Sequence, residues 1–197
     1  MLSVRDSFLE LQGTVQNASM YFDAWWELSD AGNPAHGRYR DAMSPYHLYF
    51  TAAADAQLLA TIVLLYQFLE VRKDTQNFGA LLSRVEEEEG FNALQLVMSL
   101  RTEADDLHLV WKKIARIRST VMAHLSHTGN SADLMARADL TPNEIGSFIQ
   151  KAQALMKRLS EHYGILGEAL LHPNVKAHTR KLMRDLGSVQ SSGSARD

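Results

Sequence analysis

Apolar residues recur at helical spacing along most of this 197-residue chain, and no stretch alternates apolar with polar residues as a half-buried strand would. Phe8, Leu11, Val15, Phe22 and Trp25 form one stripe of a first helix expected over about residues 3–28. Leu58, Leu59, Ile62, Val63, Tyr66 and Leu69 do the same in a second helix, opened by Ser44-Pro45 and continuing to about residue 72. Only four prolines interrupt the pattern, and 46% of the residues are apolar, enough for one core of ordinary size. The expectation is an all-α bundle of about five to six helices, forming a single domain over residues 1–186, with a flexible polar tail over 187–197.

Local signals place the remaining helices. A short one is expected over about 78–85, leading into the acidic run 86–89 and Gly90; neighbouring glutamates splay apart on a helix, so the run reads as a solvated face. A central helix should begin near Thr102 and reach His124, stopped by Thr128-Gly129-Asn130-Ser131. Thr141-Pro142-Asn143-Glu144 carries the capping-box pattern of a helix running to about residue 163, and Pro173 should open a last short helix ending near Leu186.

Composition removes several function classes. The chain has no cysteine, which excludes disulfides, thiolate metal sites and thiol chemistry and suits a reducing cytoplasm. Its first residues lack the basic flank and apolar run of a secretory signal, and the most apolar window, residues 52–69, is too short and too polar to span a bilayer, so no membrane partner is expected. A net charge of -3 argues against a surface that tracks phosphates throughout. No DNA partner is expected, and any RNA contact must be local.

The central helix carries the chemistry. On a helical wheel Leu107, Val110, Trp111, Ile114, Val121 and Leu125 share one stripe, Arg118 lies about 40° from its centre, and Arg116 lies on the opposite side. A guanidinium on an apolar seam needs an anion, either a carboxylate such as Glu70 or Asp74, or a phosphate. His124 falls on the other edge, roughly 80° from the centre, so the pair flanks Val121 and could grip one group only at a helix end or a seam between helices. His124 and His127 are three apart, as are Asp105 and His108, but neither pair has the matching ligands a metal site requires. Neither metal nor cofactor is expected. Trp25, Trp26 and Trp111 read as core or dimer anchors, and His36, His47, His162, His172 and His178 as solvated.

The run Arg118-Ser119-Thr120-Val121-Met122-Ala123-His124 resembles the signature of HEPN domains, an arginine followed by a polar residue and by a histidine four to six positions beyond the arginine. Ala123 before the histidine is similar to the form found in the AbiU2-like, abortive-infection branch. Upstream, the apolar second helix ending in Glu70-Val71-Arg72-Lys73-Asp74-Thr75, followed by a short helix with Leu81-Leu82, has a similar order. The likeness covers about two thirds of the chain, from the second helix to about Leu159. Two positions depart from it. Ser119 stands where asparagine or aspartate is favoured, and Ser126 stands where the HepT branch carries a tyrosine that is modified by nucleotidyl transfer.

The resemblance implies a two-fold homodimer acting as a metal-independent endoribonuclease of toxin or phage-defence type, with a nucleotidyltransferase-like antitoxin as protein partner. His124 would be the acid or base, Arg118 would hold the scissile phosphate, and Ser119 would donate a positioning hydrogen bond. Lys112, Lys113 and Arg116, on the outer face of the same helix, would guide the RNA backbone or merely solubilise the helix. The alternative is a catalytically inert helical dimer that binds RNA, a nucleotide or a protein through the same surface.

Overall fold

Ser3 starts the first helix: its hydroxyl accepts from the Asp6 amide at 3.1 Å, and α1 (Val4–Leu28) then buries Val4, Phe8, Leu11, Val15, Ala18 and Trp25 along one side. The computed structural model describes residues 3–29, 39–72, 75–123, 131–164 and 174–193. His124, His127 and Asp74 lie outside them. No strand occurs among the described residues, so the all-α expectation holds.

The helices are more numerous than five or six. After α1 come the single turn α2 (Arg40–Met43), then α3 (His47–Phe68), α4 (Phe78–Glu89), α5 (Leu94–Asp105), α6 (His108–Ala123), α7 (Ser131–Ala138), α8 (Pro142–Tyr163) and α9 (Val175–Gly193). The expected central helix is two. The chain turns at Asp106 and Leu107, where Leu107 points into the core and its amide bonds the Ala104 carbonyl at 3.0 Å. Two consecutive aspartates favour such a break, because their side chains compete for backbone hydrogen bonds. Neither α5 nor α7 was foreseen. α9 continues through Gly193, into the stretch expected as a polar tail.

Pro45 does not simply open a helix. It sits in a 3-10 turn, Ser44–Tyr46, that joins α2 to α3, since a proline lacks the amide needed to bond back one α-turn. Helical structure therefore runs from Arg40 to Phe68, longer than the apolar window read from the sequence. By length and composition this stretch suffices to cross a membrane, with a mean hydropathy of 1.7 over its most apolar window, of which 33% is buried in the fold. One side of α3, with Ala54, Leu58, Ile62, Leu65 and Phe68, lies in the core against α1 and α6. Tyr49 and Val63 on its other side remain exposed.

The acidic run does more than face solvent. Glu86 takes both arms of Arg101 at 2.8 and 2.7 Å, Glu88 accepts from the Val4 amide at 3.1 Å, and Glu89 meets His162 at 2.9 Å. One short segment of α4 thus ties down α1, α5 and α8. The contact with His162, followed by the Tyr163 phenol, holds the Glu89 carboxyl below its ordinary range, and burial, with Glu89 close by, pushes the Tyr163 phenol up. His162 is exposed, as expected, and is also paired with Glu89.

Two caps work as the sequence implied. Thr141 and Glu144 form the reciprocal capping box of α8, and Gly90 closes α4 with φ +57°, a conformation that suits a residue without a β-carbon. At the far side α9 docks on α1 and α2 through Met183, which shares a small apolar cluster with Met43 and Phe50. Lys176 pairs with Asp23 at 2.9 Å, and Arg180 grips the buried Glu27 with two bonds of 2.9 and 2.6 Å.

Candidate functional site

α6 sets its side chains against the C-terminal half of α3. Ile114 and Ile117 are buried, with Leu107 just before the helix, while Val110 and Trp111 are half-buried against the core. Ile117 widens the apolar stripe beyond the one read from the sequence and brings it next to Arg118. The seam between α3 and α6 therefore begins at the arginine's own neighbour.

Tyr66 of α3 enters this seam. Its ring stacks on Trp111, with centroids 5.4 Å apart and planes 16° from parallel, and its backbone carbonyl accepts the Trp111 indole N–H at 2.9 Å. The Arg118 guanidinium lies over the same ring, with Cζ 4.7 Å from the centroid. Trp111 and Arg118 are seven residues apart, so about 10.5 Å of helical rise separates them and leaves room for one ring between.

Among the described residues no carboxylate pairs with Arg118. Glu70 is buried, but its carboxylate makes no ion pair with this arginine. A ring face neutralises no charge. It contributes roughly 0.5–2 kcal/mol depending on desolvation, and it leaves the edge N–H donors of the guanidinium free for an oxyanion. Arg118 is half-buried and Ser119 is exposed, so the guanidinium fork can be reached by a phosphate from solvent.

The outer cations divide. Lys112 and Arg116 are exposed, as expected. Lys113 instead bridges Glu144 at 2.8 Å and Asp139 at 3.1 Å, holding α6 to the loop before α8 and to its cap. Glu144, then Asp139, hold its ammonium above the ordinary lysine value, and Lys113 in turn holds Glu144 below the ordinary carboxylate value. Its charge is matched within the fold and offers little to an RNA backbone.

Sequence reasoning placed Tyr66 among core residues and assigned it no role at the site. The spacing of Trp111 and Arg118 was a signal, but their common partner depends on the register of α3 against α6, which a single sequence does not carry. No group of three or more histidines, aspartates or glutamates able to hold a metal occurs among the described residues. Comparison with protein-family models, with curated proteins and with solved structures finds no match for this chain.

Proposed function

We propose that the chain is a metal-independent endoribonuclease of toxin or phage-defence type, working in the cytoplasm as a two-fold homodimer under the control of a partner protein. What supports the reading is the Arg118 guanidinium, which sits on an apolar seam over Tyr66 with no carboxylate partner among the described residues. An arginine so placed is suited to an external anion, and it begins the Arg-x5-His pattern that the HEPN resemblance rests on. The exposed apolar side of α3 is surface that such a dimer would bury.

RNA carries its own nucleophile. His124 takes the proton from the 2′-hydroxyl as that oxygen attacks phosphorus, and a proton returns to the departing 5′-oxygen, from the second protomer's histidine in a two-fold arrangement. The P–O5′ bond breaks, leaving a 2′,3′-cyclic phosphate and a 5′-hydroxyl. Arg118 offsets the charge that develops on the phosphorane oxygens, and Ser119 adds a hydrogen bond that fixes the phosphate.

One observation favours a second reading. With Lys113 matched by Glu144 and Asp139, the outer face of α6 keeps only Lys112 and Arg116 for an RNA track. That is a short electrostatic footprint, and it suits a catalytically inert dimer that holds a single phosphate-bearing ligand at Arg118. The two readings separate on incubation with single-stranded RNA in excess chelator. The enzyme reading expects cleavage to 2′,3′-cyclic phosphate ends, reduced about 100-fold or more in Arg118→Ala and His124→Ala. Binding that depends on Arg118 without any cleavage selects the inert dimer, and cleavage undiminished in both variants overturns the assignment of the site.

A further inference from the structure

A cleft of about 470 Å³ is bounded by residues 69–72 after α3, by Asn77 and the start of α4, and by the end of α5. Its size lies within the range of small-molecule sites. The floor is apolar, with Leu69, Phe78 and Leu82 all buried. Glu70 lines the wall. It is only 8% exposed, yet its carboxylate has neither hydrogen-bond nor ion-pair partner among the described residues.

The two oxygens of this carboxylate are not sealed from solvent, so a donor that enters the cleft can reach them. The other titratable groups in the cleft do not supply that donor. Arg101 is taken up by the two bonds to Glu86, and Arg72 has an interaction of its own. His108 leans on Trp111, with ring centroids 6.0 Å apart, and its Nδ1 stands 3.8 Å from the Asp105 carboxylate, too far for a hydrogen bond. Arg101 is turned to Glu86, so Glu70 and Asp105 are the carboxylates that line the cleft beside its apolar floor.

We infer that this cleft binds a small organic cation, an amine or guanidine with an apolar body, whose charged nitrogen donates to Glu70 while the body lies on Leu69, Phe78 and Leu82. The inference does not depend on the ribonuclease reading, since it uses neither Arg118 nor His124.

Tryptamine, 2-phenylethylamine and agmatine are the probes, with tryptophol as the uncharged counterpart of tryptamine, each titrated calorimetrically into the full chain. At least one amine should bind saturably, and tryptophol should bind at least about tenfold more weakly than tryptamine if tryptamine is among them. Glu70→Gln keeps the shape and removes the charge, and should weaken amine binding by about tenfold to a hundredfold, the range of a hydrogen bond to a charged group. Ser83→Trp narrows the cleft from its exposed rim with Glu70 intact, and should also weaken binding. Saturation by none of the three amines, equal binding of tryptophol and tryptamine, or affinity unchanged in Glu70→Gln would each overturn the inference. Circular dichroism of both variants shows whether any loss reflects unfolding.

Discussion

Replacing Tyr66 separates what its ring does from what its hydroxyl does. Tyr66→Leu keeps an apolar body in the seam but removes the stack on Trp111 and the platform under Arg118. An aromatic pair contributes about 0.5–1.5 kcal/mol beyond its buried area, and a partly exposed cation over a ring about 0.5–1 kcal/mol. The sum is a destabilisation of about 2 kcal/mol, or roughly 4–8 °C in Tm for a chain of this length. Tyr66→Phe retains both ring contacts and should stay within about 0.5 kcal/mol of the parent. Arg118→Met should cost about 1 kcal/mol at most, because it leaves no carboxylate orphaned, and the same change should cost almost nothing in the Tyr66→Leu background. The cycle is read by urea unfolding followed through far-UV circular dichroism. Equal destabilisation by Tyr66→Phe and Tyr66→Leu would refute the ring argument. A loss well above 2 kcal/mol for Arg118→Met alone would show that the arginine is a structural ion-pair member, and the case for an external anion would fall with it.

Other parts of the fold make separate predictions. Glu27→Gln removes the charge from a carboxylate that is 1% exposed and held by two bonds from Arg180, and should lower stability by about 2 kcal/mol, read as the urea midpoint and little affected by added salt. Lys113, then the Thr141 backbone and hydroxyl, hold Glu144 below its unfolded value, so its contribution is present above about pH 4.5 and lost as pH falls through the folded value. Unfolding midpoints measured from about pH 6 to pH 3 should therefore fall less steeply in Glu144→Gln than in the parent, and parallel curves would contradict the linkage. Asp139 adopts φ +53° between α7 and α8, where its amide and that of Leu140 close the end of α7. Asp139→Gly should stabilise by about 0.5 kcal/mol in thermal unfolding, since relief of the left-handed backbone exceeds the loss of an exposed contact to Lys113.

How far the fold could be read from the sequence depended on whether a signal was local. The Thr141 to Glu144 cap is a complete local hydrogen-bonding scheme, and α8 starts where it says; the long stripe of α1 likewise needs only its own period. α5 hid because Val97, Leu100 and Ala104 are too few to separate a helix from a short apolar run, and the turn before α6 hid because Leu107 fits the stripe on either side of it. The site followed the same division. The wheel singled out Arg118 from Arg116 correctly, since that distinction lies within one helix, and Arg118 is half-buried while Arg116 is exposed. It could not foresee that Tyr66 would lie under the arginine, that Glu144 would serve both its own cap and Lys113, or that Glu70 would stand unpaired beside a cleft. Each of these depends on the register between helices. The consequence for function is specific: Glu70, one of the two carboxylates offered as structural partners of Arg118, lines a different cavity, and among the described residues neither group pairs with an opposite charge. Lys113, Arg101, Arg158 and Arg180 are paired internally, whereas Arg118 and Glu70 have no ion-pair partner among the described residues. The anion test at Arg118 and the amine test at Glu70 can therefore succeed or fail independently.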